Sequence, residues 1–78
     1  MKELIEYIVG KLVDEPNQVQ ISEYQRGPMV NVRLKVAKKD MGRVIGKNGR
    51  VANAMRLLLR VAAVQVGKRA NLDIEEPR

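Results

Sequence analysis

The spacing of apolar residues changes along the chain, and each change marks the boundary of an element. In the first segment Leu4, Ile5, Ile8, Val9, Leu12 and Val13 recur at i, i+3 and i+4, with Lys2, Glu3, Glu6 and Lys11 off the stripe. This predicts an amphipathic helix ending near Asp14, ahead of Pro16. The period then drops to two. "NQVQIS" alternates polar and apolar residues, and after a turn-like "QRGP" the run "MVNVRLKV" alternates again. Val30, Val32, Leu34 and Val36 fall on one face, with Asn31, Arg33 and Lys35 on the other. The pair predicts an antiparallel hairpin with one buried face. Asp40 next caps or starts a short helix with Met41, Val44 and Ile45 on a shared face, stopped by Gly46. Helical periodicity resumes at Gly49 and continues to Val66, where Gly67 supplies a C-terminal stop. Finally "NLDIE" alternates, with Leu72 and Ile74 inward, and Pro77 closes the chain. The predicted order is α-β-β-α-α-β, an α+β fold with no repeat, low-complexity tract or internal linker.

Composition narrows the chemistry. A chain of 78 residues makes one domain at most, which disfavours a large catalytic cleft. Its only aromatics are Tyr7 and Tyr24, so the core is aliphatic. The absence of cysteine removes disulfides and thiolate metal sites and suits a reducing compartment. Histidine is also absent, which removes the usual general base and the commonest metal ligand. We therefore expect no catalytic residue, no metal, no cofactor and no small-molecule substrate. The N-terminal "MKELIEYIVGKLVDE" carries acids within its apolar period, unlike a secretory leader. Val51 to Val66 is interrupted by Arg56 and Arg60 and falls short of the ~20 residues of a membrane span. A soluble cytoplasmic protein, not bound to membrane, is the expectation.

Charge is segregated along the chain. Between Arg26 and Arg69 stand twelve Lys or Arg against the single acid Asp40, a net +11, while the flanking termini carry −5. A basic middle between acidic ends points to a polyanion as partner. Within it, "VIGKNGR" sets Gly46 and Gly49 around Lys47 and Asn48, at the junction of the two helices. Glycine supplies the backbone conformations that so short a connection needs, which is the purely structural reading of the pair. Missing Cβ atoms also let a phosphate chain approach, and the head of the next helix adds partial positive charge and unpaired N–H groups. With Lys47 in the loop and Arg43 and Arg50 beside it, the junction reads as an anion cradle. It suits a flexible single strand better than a duplex groove.

"VIGKNG" in this element order resembles the KH domain, whose signature is V-I-G-x-x-G, in its type II, prokaryotic arrangement. The resemblance covers nearly the whole chain and extends to the small stand-alone bacterial KH proteins called KhpA. It implies one KH domain over residues 1–78: a three-stranded sheet with helices packed on one face, binding single-stranded RNA without catalysis. By that resemblance Gly46, Lys47, Asn48 and Gly49 grip the RNA backbone. Val44 and Ile45 would floor an apolar groove, Val51 and Ala52 would continue it, and Asn31 and Arg33 would reach bases from the opposite wall. The poverty in aromatics agrees, because binding by base stacking would call for aromatic residues on the sheet. The resemblance further implies a post-transcriptional or chaperone role connected with the cell wall and cell length.

Two other readings start from the same residues. A P-loop over Gly42, Gly46 and Lys47 fails, because three residues separate the glycines where four are needed and Asn48 stands where Ser or Thr holds magnesium. A protein-interaction adaptor draws on the last helix, which is more apolar than one core stripe requires. Val51, Met55, Leu58 and Ala62 form one face and Leu57, Val61 and Val64 a second, with Asn53, Arg56 and Arg60 as a narrow polar strip. Either the first helix covers the second face or a partner does. The resemblance implies pairing with a second copy, or with a larger multidomain KH protein called KhpB or Jag.

Overall fold

The structure, a computed structural model, describes residues 1–75; the expected closing role of Pro77 lies outside them. Helix α1 (Lys2–Leu12) leads into strands β1 (Gln20–Arg26) and β2 (Met29–Lys35). Helices α2 (Met41–Ile45) and α3 (Arg50–Gln65) follow, and strand β3 (Arg69–Glu75) ends the described chain. The expected order is thus observed. The sheet runs β1-β2-β3, with β1 antiparallel and β3 parallel to the central β2.

Strict alternation in β2 decides which face is covered. Val30, Val32, Leu34 and the following Val36 are buried, together with Ile5 and Val9 of α1, Val44 of α2, Met55 and Leu59 of α3, and Leu72 of β3. All three helices lie on this one face, and Asn31, Arg33 and Lys35 face away from them. The hairpin is tighter than expected. Gln25 and Arg26 belong to β1, and the Arg26–Met29 pair closes a two-residue loop in which Gly27 takes φ 59°, a value suited to glycine at the head of such a loop. β1 also starts later than its alternation suggests, because Pro16–Gln18 forms a 3-10 turn.

α3 is shifted from the expected face. Its buried residues are Ala52, Met55, Leu59 and Ala63, while Leu58 is 49 % exposed. The helix is apolar on nearly every side, so two neighbouring stripes fit the period equally well, and packing on the sheet selected the one carrying the small alanines. It ends as expected at Gly67: Lys68 N–H bonds to the Ala63 carbonyl at 2.8 Å and Gly67 N–H to that of Val64 at 3.0 Å, with Gly67 at φ 71°.

Asp40 stands at the start of α2, as expected, but its side chain does not cap that helix. Its buried carboxylate accepts the backbone N–H of Asp14 and of Glu15, each at 3.1 Å, and Arg43 Nη1 at 3.2 Å. The bonds tie the end of α1 to the start of α2 and explain why the helix stops at Leu12, with Val13 already extended. The Asp14 N–H, then the Glu15 N–H and the Arg43 and Lys39 charges, hold the Asp40 carboxyl below its ordinary 3.8 against the opposing effect of burial. A carboxyl so depressed contributes stability above its ordinary range, and that contribution disappears as pH falls through the folded-state value. Asp40→Asn should lower Tm by roughly 10 °C at neutral pH, because it puts a donor against donors. The gap from wild type should narrow below pH 4; thermal melts from pH 7 to 2.5 check both, and a gap independent of pH contradicts the assignment.

Candidate functional site

The α2–α3 corner is built by three left-handed backbone residues in four. Gly46 has φ 77° and ψ 174°, a combination essentially restricted to glycine. A Cβ there would stand 2.5 Å from Val51 Cγ2 and 2.9 Å from the Val51 backbone nitrogen, so space and conformation exclude a side chain independently. Asn48 follows at φ 57° and ψ 27°, a region asparagine tolerates better than most residues. Gly49 has φ 75°, yet the nearest group to its missing Cβ is Asn53 Nδ2 at 3.8 Å. The first glycine is demanded by contact and conformation, the second by conformation alone.

The corner holds its own shape. Gly46 N–H bonds to the Gly42 carbonyl at 2.8 Å and Gly49 N–H to that of Gly46 at 3.2 Å, and Arg50 N–H bonds to the Lys47 carbonyl. Those three amides are engaged within the turn and are not open to an anion. Lys47, Asn48 and Arg50 are exposed, and neither cation has an ion-pair partner among the described residues. The corner thus offers two uncommitted cations and an amide side chain at the head of a sixteen-residue helix.

The other expected site residues divide. Ile45 and Val51 are half-buried against the core and can present apolar surface beside the loop. Val44 is fully buried, so it is a core residue with no surface to floor a groove. Ala52 is likewise buried on the sheet side of α3. Arg43 is engaged: its Nη1 lies 2.5 Å from Asp14 Oδ2 and 3.2 Å from Asp40 Oδ1, and these carboxylates, Asp14 first, raise its already high pKa. Asn31 and Arg33 are not brought to the loop. They stand on the open face of the sheet, with β2 itself between them and the helices, and Arg33 Nε faces Asp73 Oδ2 on β3 at 3.6 Å.

Edge strand β3, next to α3, supplies the nearer wall. Arg56 Nε donates to the Leu72 carbonyl at 3.3 Å, and its Nη1 reaches Asn53 Oδ1 at 3.4 Å. Asn53 and Arg56 therefore line the flank of α3 that meets β3. The narrow polar strip in an otherwise apolar helix signalled them, although they were absent from the expected contact set. Among the described residues no group of three or more His, Cys, Asp or Glu side chains could hold a metal, and no helix is long and apolar enough to cross a membrane.

The family model for the KhpA/KhpB KH domain matches residues 2–74, nearly all of the chain and the whole of this corner. The chain belongs to the KhpA/KhpB KH-domain family. It is similar to three curated KhpA proteins, each named RNA-binding protein KhpA. One is from Clostridium acetobutylicum, 47% identical over 95% of this chain and 99% of the relative. Another, from Halalkalibacterium halodurans, is 45% identical over 95% and 97%. A third, from Chlamydia pneumoniae, is 42% identical over the full length of both. No solved structure matches the chain significantly. Membership in the KH family accounts for the mixed three-stranded sheet, the helices on one face and the G-x-x-G corner together.

Proposed function

We propose that this protein binds single-stranded RNA without catalysis, gripping the backbone at Gly46, Lys47, Asn48 and Gly49, with Arg50 alongside. The observation that carries the reading is Lys47, an exposed cation without an ion-pair partner among the described residues, held between two glycines whose backbone angles fix its direction. The half-buried Ile45 and Val51 supply an apolar lip, and Asn53 and Arg56 continue the track toward β3. The name RNA-binding protein KhpA borne by similar proteins supports the same ligand. One KH module clamps about four nucleotides, so modest affinity and relaxed sequence preference follow. Amide NMR shifts on adding an unstructured RNA tetramer should concentrate at 46–56; shifts confined to Asn31, Arg33 and the open sheet face would overturn this placement.

The outer face of α3 supports a partner as part of the same function. Leu57, Leu58, Val61 and Val64 are 49–67 % exposed, and α1 leaves them uncovered. A second copy or a KhpB-like protein fits this face, and two linked modules would gain avidity over one. Val61→Glu should leave the fold intact and shift the chain to monomer in analytical ultracentrifugation; an unchanged sedimentation coefficient would argue against this face. A cytoplasmic role in RNA regulation or chaperoning, linked to the cell wall and cell length, completes the proposal on family resemblance.

A further inference from the structure

A second group of cations lies at the opposite end of α3 from the loop. The Schellman turn that ends α3 delivers Lys68 and Arg69 to the start of β3. There Arg69 N–H bonds to the Pro28 carbonyl at 2.9 Å, locking the start of β3 onto the β1–β2 hairpin. The register places Arg26, Met29 and Arg69 side by side on the open sheet face, so the two arginines flank Met29 about 10 Å apart. Arg60, Lys68 and Arg69, with Val64, Met29 and Ala70, also line an open hollow of about 310 Å³ that contains no acid.

These cations are uncommitted. Arg33, Lys39 and Arg43 each face a carboxylate within 4.0 Å, whereas Arg26, Arg60, Lys68 and Arg69 face none among the described residues. Lys68 makes a neutral bond instead, to Gln25 Oε1 at 3.2 Å. Four like charges gathered at one end, without a compensating acid among the described residues, repel one another and are relieved by a polyanion. The loop and this end are separated by the sixteen residues of α3, roughly 24 Å, with Arg56 and Arg60 on the strip between them.

We propose that Arg26, Lys68 and Arg69, with Arg60 at their border, form a second phosphate-binding site that holds the same RNA strand beyond the nucleotides gripped at the loop. This rests on the loop reading and adds a length requirement to it. A tetramer is too short to occupy both ends, whereas a strand about three times as long reaches across α3. The ligand recognised here is the phosphate backbone, so the site adds affinity and sets strand path without reading sequence.

The experiment compares an unstructured 4-mer with a 12-mer RNA across a salt series, for wild type, for Arg26→Gln with Lys68→Gln and Arg69→Gln, and for Lys47→Asp with Asn48→Asp. Each single-strand phosphate contact contributes about 0.7 to the slope of log K against log salt, so the triple change should flatten the 12-mer slope by about 2 and weaken binding about tenfold at low salt. The same variant should bind the 4-mer as wild type does, with Tm unchanged. Equal slopes for the 12-mer in wild type and triple variant overturn the second site and leave the loop reading standing if the loop variant still loses both lengths. A loop variant that binds like wild type, while the triple variant loses both lengths, overturns the loop reading and with it the second grip. Binding to vesicles rich in phosphatidylserine, lost in the triple variant while RNA slopes stay equal, would assign the patch to a lipid surface and overturn the proposal.

Discussion

Gly46→Ala should be far more damaging than Gly49→Ala, although both put a methyl group on a loop glycine. At Gly46 the backbone sits at φ 77° and ψ 174°, a region that costs an L-residue about 1–3 kcal/mol. The new Cβ would also stand 2.9 Å from the Val51 backbone nitrogen, and that nitrogen belongs to the first turn of α3 and cannot rotate aside. Strain and overlap together should cost about 3 kcal/mol or more, a fall in Tm of roughly 15 °C for a domain of this size. Such a loss is a large part of the whole stability of a small domain. At Gly49 only the left-handed φ of 75° is disturbed and the space is open, which costs about 1–2 kcal/mol. Trimming the neighbour, Val51→Ala, removes the Cγ2 overlap but not the backbone one, so it should not rescue Gly46→Ala. Thermal or urea unfolding of the three variants checks the ranking; equal losses at the two glycines, or full rescue by Val51→Ala, would contradict the geometry.

The same contrast shows what could be read from residues alone. The glycine pair and Lys47 were legible because a G-x-x-G between two apolar helical segments has few other uses. The unequal demands on the glycines were not, since only the folded position of Val51 sets them apart. β2 was legible because its alternation is strict, and one buried face fixed the register of both neighbours. α3 was legible as a helix but not as to face: Leu58 and Leu59 are chemically alike, and only the sheet decides that the second is buried. Asp40 stands where α2 starts, as expected, but the task of its side chain was not legible because its partners, the amides of Asp14 and Glu15, lie about 25 positions away. The pairing of Arg43 with Asp14 was hidden for the same reason, as the two meet only after folding. Asn31 and Arg33 were correctly placed opposite the buried valines, and helices on the other side then separate them from the loop.

Lys47→Asp with Asn48→Asp should abolish most RNA binding while leaving the fold standing. Both side chains are exposed and neither is needed for the turn, whose hydrogen bonds are made by the Gly42, Gly46 and Lys47 carbonyls. Aspartate tolerates the left-handed angles of position 48 nearly as well as asparagine. The change replaces a cation and an amide donor with two carboxylates at the point where the phosphate chain is gripped. Losing two contacts worth a factor of about ten each, before any repulsion, predicts a fall of roughly a hundredfold. The loss is electrostatic in part, so it should shrink as salt rises.

The most direct measurement of the central claim is therefore fluorescence anisotropy of a short unstructured RNA with wild type and this double variant across a salt series, with circular dichroism confirming the shared fold. The account predicts affinity falling about a hundredfold at low salt and a shallower salt dependence in the variant. Wild-type affinity and slope in a folded double variant would contradict it, leaving the glycines as a turn and nothing more.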